Sequence, residues 1–169
     1  MKNVAIIGAG ITGITLANLL QKKVNLTVFE KSRGVGGRMA TRRAEPYQFN
    51  HGAQYFKIEN KEFKNFLQPL IQNKIIKHLE ANHIDILNKE VIKRTKTYNK
   101  IYFTPVSKMN SVVKYLINNN FFIKLLCKID KTIKENDKWF IIDSDKASYG
   151  PYDWLFITIP PNQALEILY

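Results

Sequence analysis

The sequence predicts an α/β fold built on a parallel sheet, and three observations predict it. An apolar run from Val4 to Ile7 leads into glycines at 8, 10 and 13 and then into a helical stretch. A second apolar run, Leu26 to Phe29, ends on Glu30 and is followed by a second glycine turn, Gly36-Gly37-Arg38. A third apolar run, "YDWLFITIP", recurs near the C-terminus. Short, continuous apolar runs are the pattern of strands buried on both faces of a parallel sheet.

Each early element has a physical reason. Gly8 permits a tight turn after the first strand, Gly10 lets the backbone approach a pyrophosphate, and Gly13 lets the helix pack close to the strand. The helix, expected from about Ile11 to Lys22, points its amide-bearing, dipole-positive end at that phosphate. Thr12 adds a hydroxyl in the first turn. Glu30 follows Gly13 by 17 positions, near the roughly 20 expected for a carboxylate that takes ribose hydroxyls. Strand, glycine turn, helix, strand and acid in register read as a dinucleotide-binding unit. The arginine-bearing second turn narrows the dinucleotide to a flavin. A secretory leader is the competing reading of the apolar N-terminus. Three glycines interrupt the run and a strand ending in Glu30 follows it, which argues against a leader.

With 169 residues and 45% apolar composition, the chain has the size of one domain and can bury a core. It holds no uninterrupted apolar run of 18 or more residues, so no transmembrane span and no membrane partner is expected. Cys127 is the single cysteine, which excludes an internal disulfide framework and fits a cytoplasmic setting. It lies in an apolar, strand-like run and reads as packing. The net charge of +12 raises the question of nucleic acid. The lysines, however, are scattered through nearly every segment, and no aromatic-plus-basic module is visible, so no nucleic-acid partner is expected. The arginines are concentrated: Arg33, Arg38, Arg42 and Arg43 are four of the five. Guanidinium forks suit a pyrophosphate or another anionic ligand.

Further along, "YQFNHGAQYFKI" reads as extended. Asn60 is placed to cap a helix with an apolar stripe of Phe63, Phe66, Leu67, Leu70 and Ile71, read as core, which Pro69 should kink or end. Short strands are expected from Ile75 to Phe103, with a turn at Asn99-Lys100. A helix follows from about Ser107 to Asn118, with Val112, Val113, Leu116 and Ile117 facing inward. Then come a strand from Phe121 to Ile129, a hairpin around Glu135 to Asp137, a strand from Trp139 to Ile142, and the last apolar strand. Pro160 and Pro161 end that strand, and a helix begins in "NQALEILY".

The segments "VAIIGAGITG", "EKSRGVGGRMATRR", "HGAQYF", "DKWFIIDS" and "YDWLFITIPPNQALEIL" together resemble the renalase-like branch of the monoamine-oxidase-type flavoproteins, from Met1 to Leu168. The resemblance implies a Rossmann-like FAD-binding domain of the glutathione-reductase type with part of an inserted α+β substrate domain. On that basis residues 1–57 are the first part of the FAD-binding domain, 58–106 part of the substrate domain, and 107–169 the return to the FAD-binding domain. The implied activity is FAD-dependent oxidation of a small-molecule substrate, a reduced nicotinamide dinucleotide or an amine, with electrons passed to oxygen. The implied cofactor contacts are Gly8, Gly10, Thr12 and Gly13 at the pyrophosphate, Glu30 at the adenosine ribose with Lys31 beside it, and Gly37 and Arg38 at the phosphates. Gln54 and Tyr55 fall by the flavin ring, the Ile129 backbone at adenine, and Thr158 to Pro160 at the strand end that passes the dinucleotide. Asn50 stands where relatives usually have Asp, and the loop from Pro105 to Asn110 lacks an expected glycine. Family members continue well past position 169, so the chain is expected to be truncated, with a missing C-terminal half or self-association covering the exposed sheet.

No catalytic side chain is identified, because a flavin carries the hard chemistry of this class. His78 and His83 lack a metal-ligand pattern, so no metal is expected. His51, beside Gly52, reads as a packing residue, and Tyr55 and Phe56 as either an aromatic wall or core. Two alternatives stand beside the oxidoreductase: a non-catalytic fragment of such a flavoprotein, and an NAD-binding dehydrogenase domain.

Overall fold

The computed structural model describes residues 1–96, 102–117 and 121–168. The chain divides into two compact units, Met1–Ala40 with Val113–Tyr169, and Thr41–Val112. The first unit opens with β1 (Asn3–Ile7), α1 (Ile11–Leu20) and β2 (Asn25–Phe29), followed by a single 3-10 turn at Gly37–Met39. The second unit holds β3 (Thr41–Ala44), β4 (Tyr47–Asn50), β5 (Phe56–Lys57), α2 (Lys61–Gln72), β6 (Ile76–His78), β7 (Asn82–Leu87), β8 (Glu90–Lys96) and β9 (Tyr102–Pro105). The short helix α3 (Asn110–Leu116) leads back into the first unit. That unit resumes with β10 (Phe122–Lys124), β11 (Ile129–Glu135), β12 (Lys138–Asp143), β13 (Ser148–Tyr152), β14 (Trp154–Ile157) and α4 (Pro161–Leu168).

The first unit carries the expected parallel sheet, in the order β10-β2-β1-β14. Val4, Ala5, Ile6 and Val28 are fully buried, as continuous apolar strands require. Ile14 and Ala17 of α1 pack on one face together with Val113. Cys127, Ile129, Ile141 and Ile167 cover the other. β11, β12 and β13 form a separate antiparallel sheet. Its first hairpin turns at Asn136 and Asp137, both at positive φ, where the sequence places it.

Four expectations about this unit are corrected. The Phe121 to Ile129 run is two strands, because the backbone turns at Leu126, at φ +55°, and passes from the parallel sheet to the antiparallel one. Cys127 is therefore buried in a connection and not within a strand. The terminal apolar run also divides, into the end of β13 and β14. β14 is an edge strand with Trp154 exposed, not a strand buried on both faces. α1 stops at Leu20, two residues early.

In the second unit Asn60 caps α2 as expected, its side-chain oxygen accepting the Phe63 amide at 2.7 Å. Leu67 and Leu70 are buried, but Phe63 and Phe66 remain more than a third exposed, so the stripe is only partly core. Pro69 neither ends nor shortens the helix, which continues to Gln72. A proline this near the C-terminus removes one intrahelical bond, and the following amides still find carbonyls. Asn50 accepts from the Thr41 hydroxyl at 2.8 Å and the Met109 amide at 3.0 Å. An aspartate would fill the same acceptor role. α3 is shorter than expected at both ends, with Ser107 outside it, and Asn118 lies outside the described residues. So does the expected Asn99-Lys100 turn. The β7–β8 hairpin turns at Asn88-Lys89, both at positive φ.

Candidate dinucleotide site

The carboxyl ends of β1, β2 and β14 gather most of the residues singled out in the sequence. Gly8 leaves β1 at φ +105°, a backbone region that favours glycine, and its amide donates to the Phe29 carbonyl at 2.8 Å. At Gly13, a Cβ would lie 1.9 Å from the Gly8 carbonyl oxygen, so α1 approaches β1 only because position 13 has no side chain. Gly10 differs. A Cβ there would meet no protein atom within 4 Å. Internal packing therefore does not require glycine at 10, and the open space fits a ligand.

That space faces the start of α1. Gly10 precedes the helix without a side-chain cap, and the first turn holds no acidic residue. Its amides are thus available to an anion. Thr12 is exposed in this first turn. The second glycine turn docks onto the first: the Gly36 amide donates to the Ala9 carbonyl at 3.0 Å, and Gly10 and Gly36 form a parallel bridge. Gly37, at φ +53°, approaches so closely that its Cβ would lie 3.3 Å from the Gly10 Cα. Arg38 follows in the 3-10 turn, with its side chain exposed.

Glu30 is buried at the end of β2, 7% exposed. One carboxylate oxygen accepts the Ala9 amide at 2.9 Å and the other the Ser32 amide at 2.9 Å. Two backbone donors fix the carboxylate, while each oxygen keeps a further lone pair for a hydroxyl donor. Lys31 reaches the first turn of α4, where its ammonium donates to the Gln163 side chain at 3.1 Å. Pro160 is exposed, and its carbonyl accepts the Ala164 amide as α4 begins. The Glu30 segment pairs with the connection after β10, through the Cys127 amide to the Glu30 carbonyl at 3.0 Å. Ile129, two residues on, is buried opposite Asp143.

Gln54 and Tyr55 belong to the second unit, as do Arg42 and Arg43. Both Gln54 and Tyr55 are exposed, and the Tyr55 ring meets that of Tyr102 edge-on at 5.6 Å. His51 is exposed, which corrects its reading as a packing residue. Phe56 is half-buried and stacks on Phe103 at 6.4 Å. Among the described residues no group of three or more His, Cys, Asp or Glu side chains is arranged to hold a metal ion.

Reasoning from sequence missed the donors that hold Glu30, because backbone amides leave no residue signature. It also missed what the Thr158 hydroxyl does, bonding at the carbonyls of Ile7 and Gly8. Cys127 behaves as a packing thiol: burial pushes its pKa up, and it sits 3.6 Å from an Asp143 oxygen. Among the described residues no helix is long and apolar enough to cross a membrane.

Residues 6–70 match the family model of NAD(P)-binding Rossmann-like domains. Renalase of Mus musculus is 29% identical over 99% of this chain, which spans 49% of the mouse protein's length. Among solved structures, a protein from Exiguobacterium sp. 255-15, provisionally called a protoporphyrinogen oxidase, superposes with a TM-score of 0.71 at 11% identity. The match covers 98% of this chain and 61% of that one. An oxidoreductase from Methanosarcina mazei gives 0.69 at 13% identity, over 97% and 60% of the respective chains. The chain is thus similar to renalase over nearly its whole length, spans about half the length of that relative, and carries a Rossmann-like dinucleotide-binding fold.

Proposed function

We propose that the chain binds FAD at the carboxyl edge of its parallel sheet, as the nucleotide-holding part of an FAD-dependent oxidoreductase. The observation that carries this reading is the open space at Gly10, bounded by the uncapped start of α1 and neighboured by the fixed Glu30 carboxylate. Amides of α1 would take the pyrophosphate, with the Thr12 hydroxyl beside them. Glu30 would accept the two ribose hydroxyls and, being anionic, would disfavour a 2′-phosphate. Gly37 and Arg38 would close over the phosphates, the guanidinium adding charge-assisted bonds. The Ile129 backbone would lie at adenine, and Lys31 and Pro160 would flank the nucleotide.

A flavin bound there would supply the hydride-accepting chemistry, with oxygen as the electron acceptor. The protein's share is binding, orientation and exclusion of water. The substrate class is a reduced nicotinamide dinucleotide or an amine, in keeping with the resemblance to renalase. The single, buried Cys127 fits a reducing compartment such as the cytoplasm.

The test is to identify the nucleotide that the protein carries after purification. Heat denaturation should release a yellow flavin chromophore that chromatographs as FAD. Release of NAD in stoichiometric amount, without flavin, would overturn the reading in favour of a dehydrogenase domain.

A further inference from the structure

We infer that Thr158 is a positioning residue for the nucleotide: its hydroxyl, from the edge strand, pins the first glycine turn in its binding geometry. This inference rests on the dinucleotide reading above. Thr158 follows β14, and its amide donates to the Ile7 carbonyl at 2.9 Å, continuing the β1–β14 ladder. Its hydroxyl lies 3.0 Å from the same carbonyl and 3.1 Å from that of Gly8. A hydroxyl has one hydrogen to give. With both carbonyl oxygens in reach, that hydrogen ties the end of β1 to the Gly8 peptide.

The Gly8 carbonyl is the point on which the turn depends. Gly8 has φ +105°, outside regular structure, and its own amide and that of Ala9 are held by the Phe29 carbonyl and the Glu30 carboxylate. The same carbonyl oxygen is the atom against which Gly13 packs. The Thr158 oxygen also lies where it would meet a Cβ on either glycine, 3.0 Å from one at Gly8 and 2.8 Å from one at Gly13. One side chain therefore sets the Gly8 peptide and abuts the start of α1, whose amides face the open space at Gly10. If that bond is lost, the Gly8–Ala9 peptide is held only at its other end, by the Ala9 amide on Glu30, and the amides that follow are aimed less firmly.

The experiment compares three variants by FAD titration and by thermal melting. Thr158→Val keeps the shape and removes the hydroxyl. Thr158→Ser keeps the hydroxyl. Thr132→Val is the control, since it removes an equivalent buried hydroxyl bond, 2.9 Å to the Ile167 carbonyl, away from the glycine turn. The expected result is a loss of FAD affinity of about five- to tenfold in Thr158→Val, as befits one neutral hydrogen bond. Thr158→Ser and Thr132→Val should bind within about twofold of the unmodified chain, although Thr132→Val should melt earlier. Unchanged affinity in a folded Thr158→Val, or affinity lost equally in Thr132→Val, would overturn the inference. Should Thr158→Val not fold, Thr158→Ser decides: a serine variant that is folded but binds tenfold more weakly also overturns it. An unmodified chain that takes no FAD would instead overturn the dinucleotide reading itself.

Discussion

The two ends of the parallel sheet each hold a carboxylate, and the two are treated differently. At the amino end Asp153 accepts the Asn3 amide at 2.7 Å and meets Lys138 at 2.5 Å and Lys2 at 3.4 Å. Lysine bonds, with Lys138 the main one, hold its carboxyl far below the ordinary range. At the carboxyl end Glu30 is held by two backbone amides and sits beside an open cradle. The difference separates a structural charge from a binding one. Asp153 is neutralised within the protein and ties β1, β12 and the start of β14 together. Glu30 is oriented by backbone amides and has no cationic partner among the described residues, so its charge remains directed at what enters the cradle.

The largest effect that would sharpen this contrast is steric. Gly13→Ala places a methyl 1.9 Å from the Gly8 carbonyl, which is backbone and cannot swing aside. The variant should lose about 3 kcal/mol of stability and all measurable FAD binding, read by melting and titration. Wild-type binding would show that the turn is not the site.

Glu30→Gln comes next. A carboxamide has one acceptor oxygen, so one of the two amides from Ala9 and Ser32 would face an NH₂ group. Affinity for FAD should fall about ten- to a hundredfold, the measure of charge-assisted bonds of roughly 1.5–3 kcal/mol. Asp153→Asn should leave affinity unchanged at neutral pH, and equal losses in the two variants would erase the distinction. Arg38→Ala, at an exposed position, should weaken binding by about tenfold or less. The measurement is the salt dependence of FAD affinity, which should flatten when this phosphate contact is removed.

The smallest effect is one of pH. The Asp153 carboxyl titrates in the folded chain below its ordinary value of 3.8, so its contribution is present above that value. It is lost as the pH falls from about 4 through the folded pKa. Asp143 shifts the same way, through the Tyr149 hydroxyl first. The gap in melting temperature between the unmodified chain and Asp153→Asn should therefore be widest near neutrality and close as the pH drops below 4. A gap independent of pH would mean that the ion pairs contribute nothing.

How much of this was legible in the sequence follows from where the information lies. β1, α1, β2 and Glu30 are local: glycine spacing and apolar period specify them within 30 residues. The Asn136-Asp137 turn is legible for the same reason, since both residue types tolerate positive φ. The break at Leu126 is not legible. The run around it is apolar on both sides, and only tertiary pairing decides that β10 joins one sheet and β11 another. β13 is hidden by Pro151, which cannot donate to a ladder and is tolerated because β13 is the outer strand of its sheet. At the site, the Ala9 amide bond to Glu30 and the reach of Thr158 to Gly8 join residues 21 and 150 positions apart, and no spacing rule announces them.

The most direct test of the central claim is competition for FAD by its two halves. If the carboxyl edge of the first unit holds the adenosine diphosphate end, ADP should displace FAD from the chain competitively, and FMN, which lacks that end, should not. Displacement by FMN with no effect of ADP would contradict the assignment of the glycine turns and Glu30 to the nucleotide.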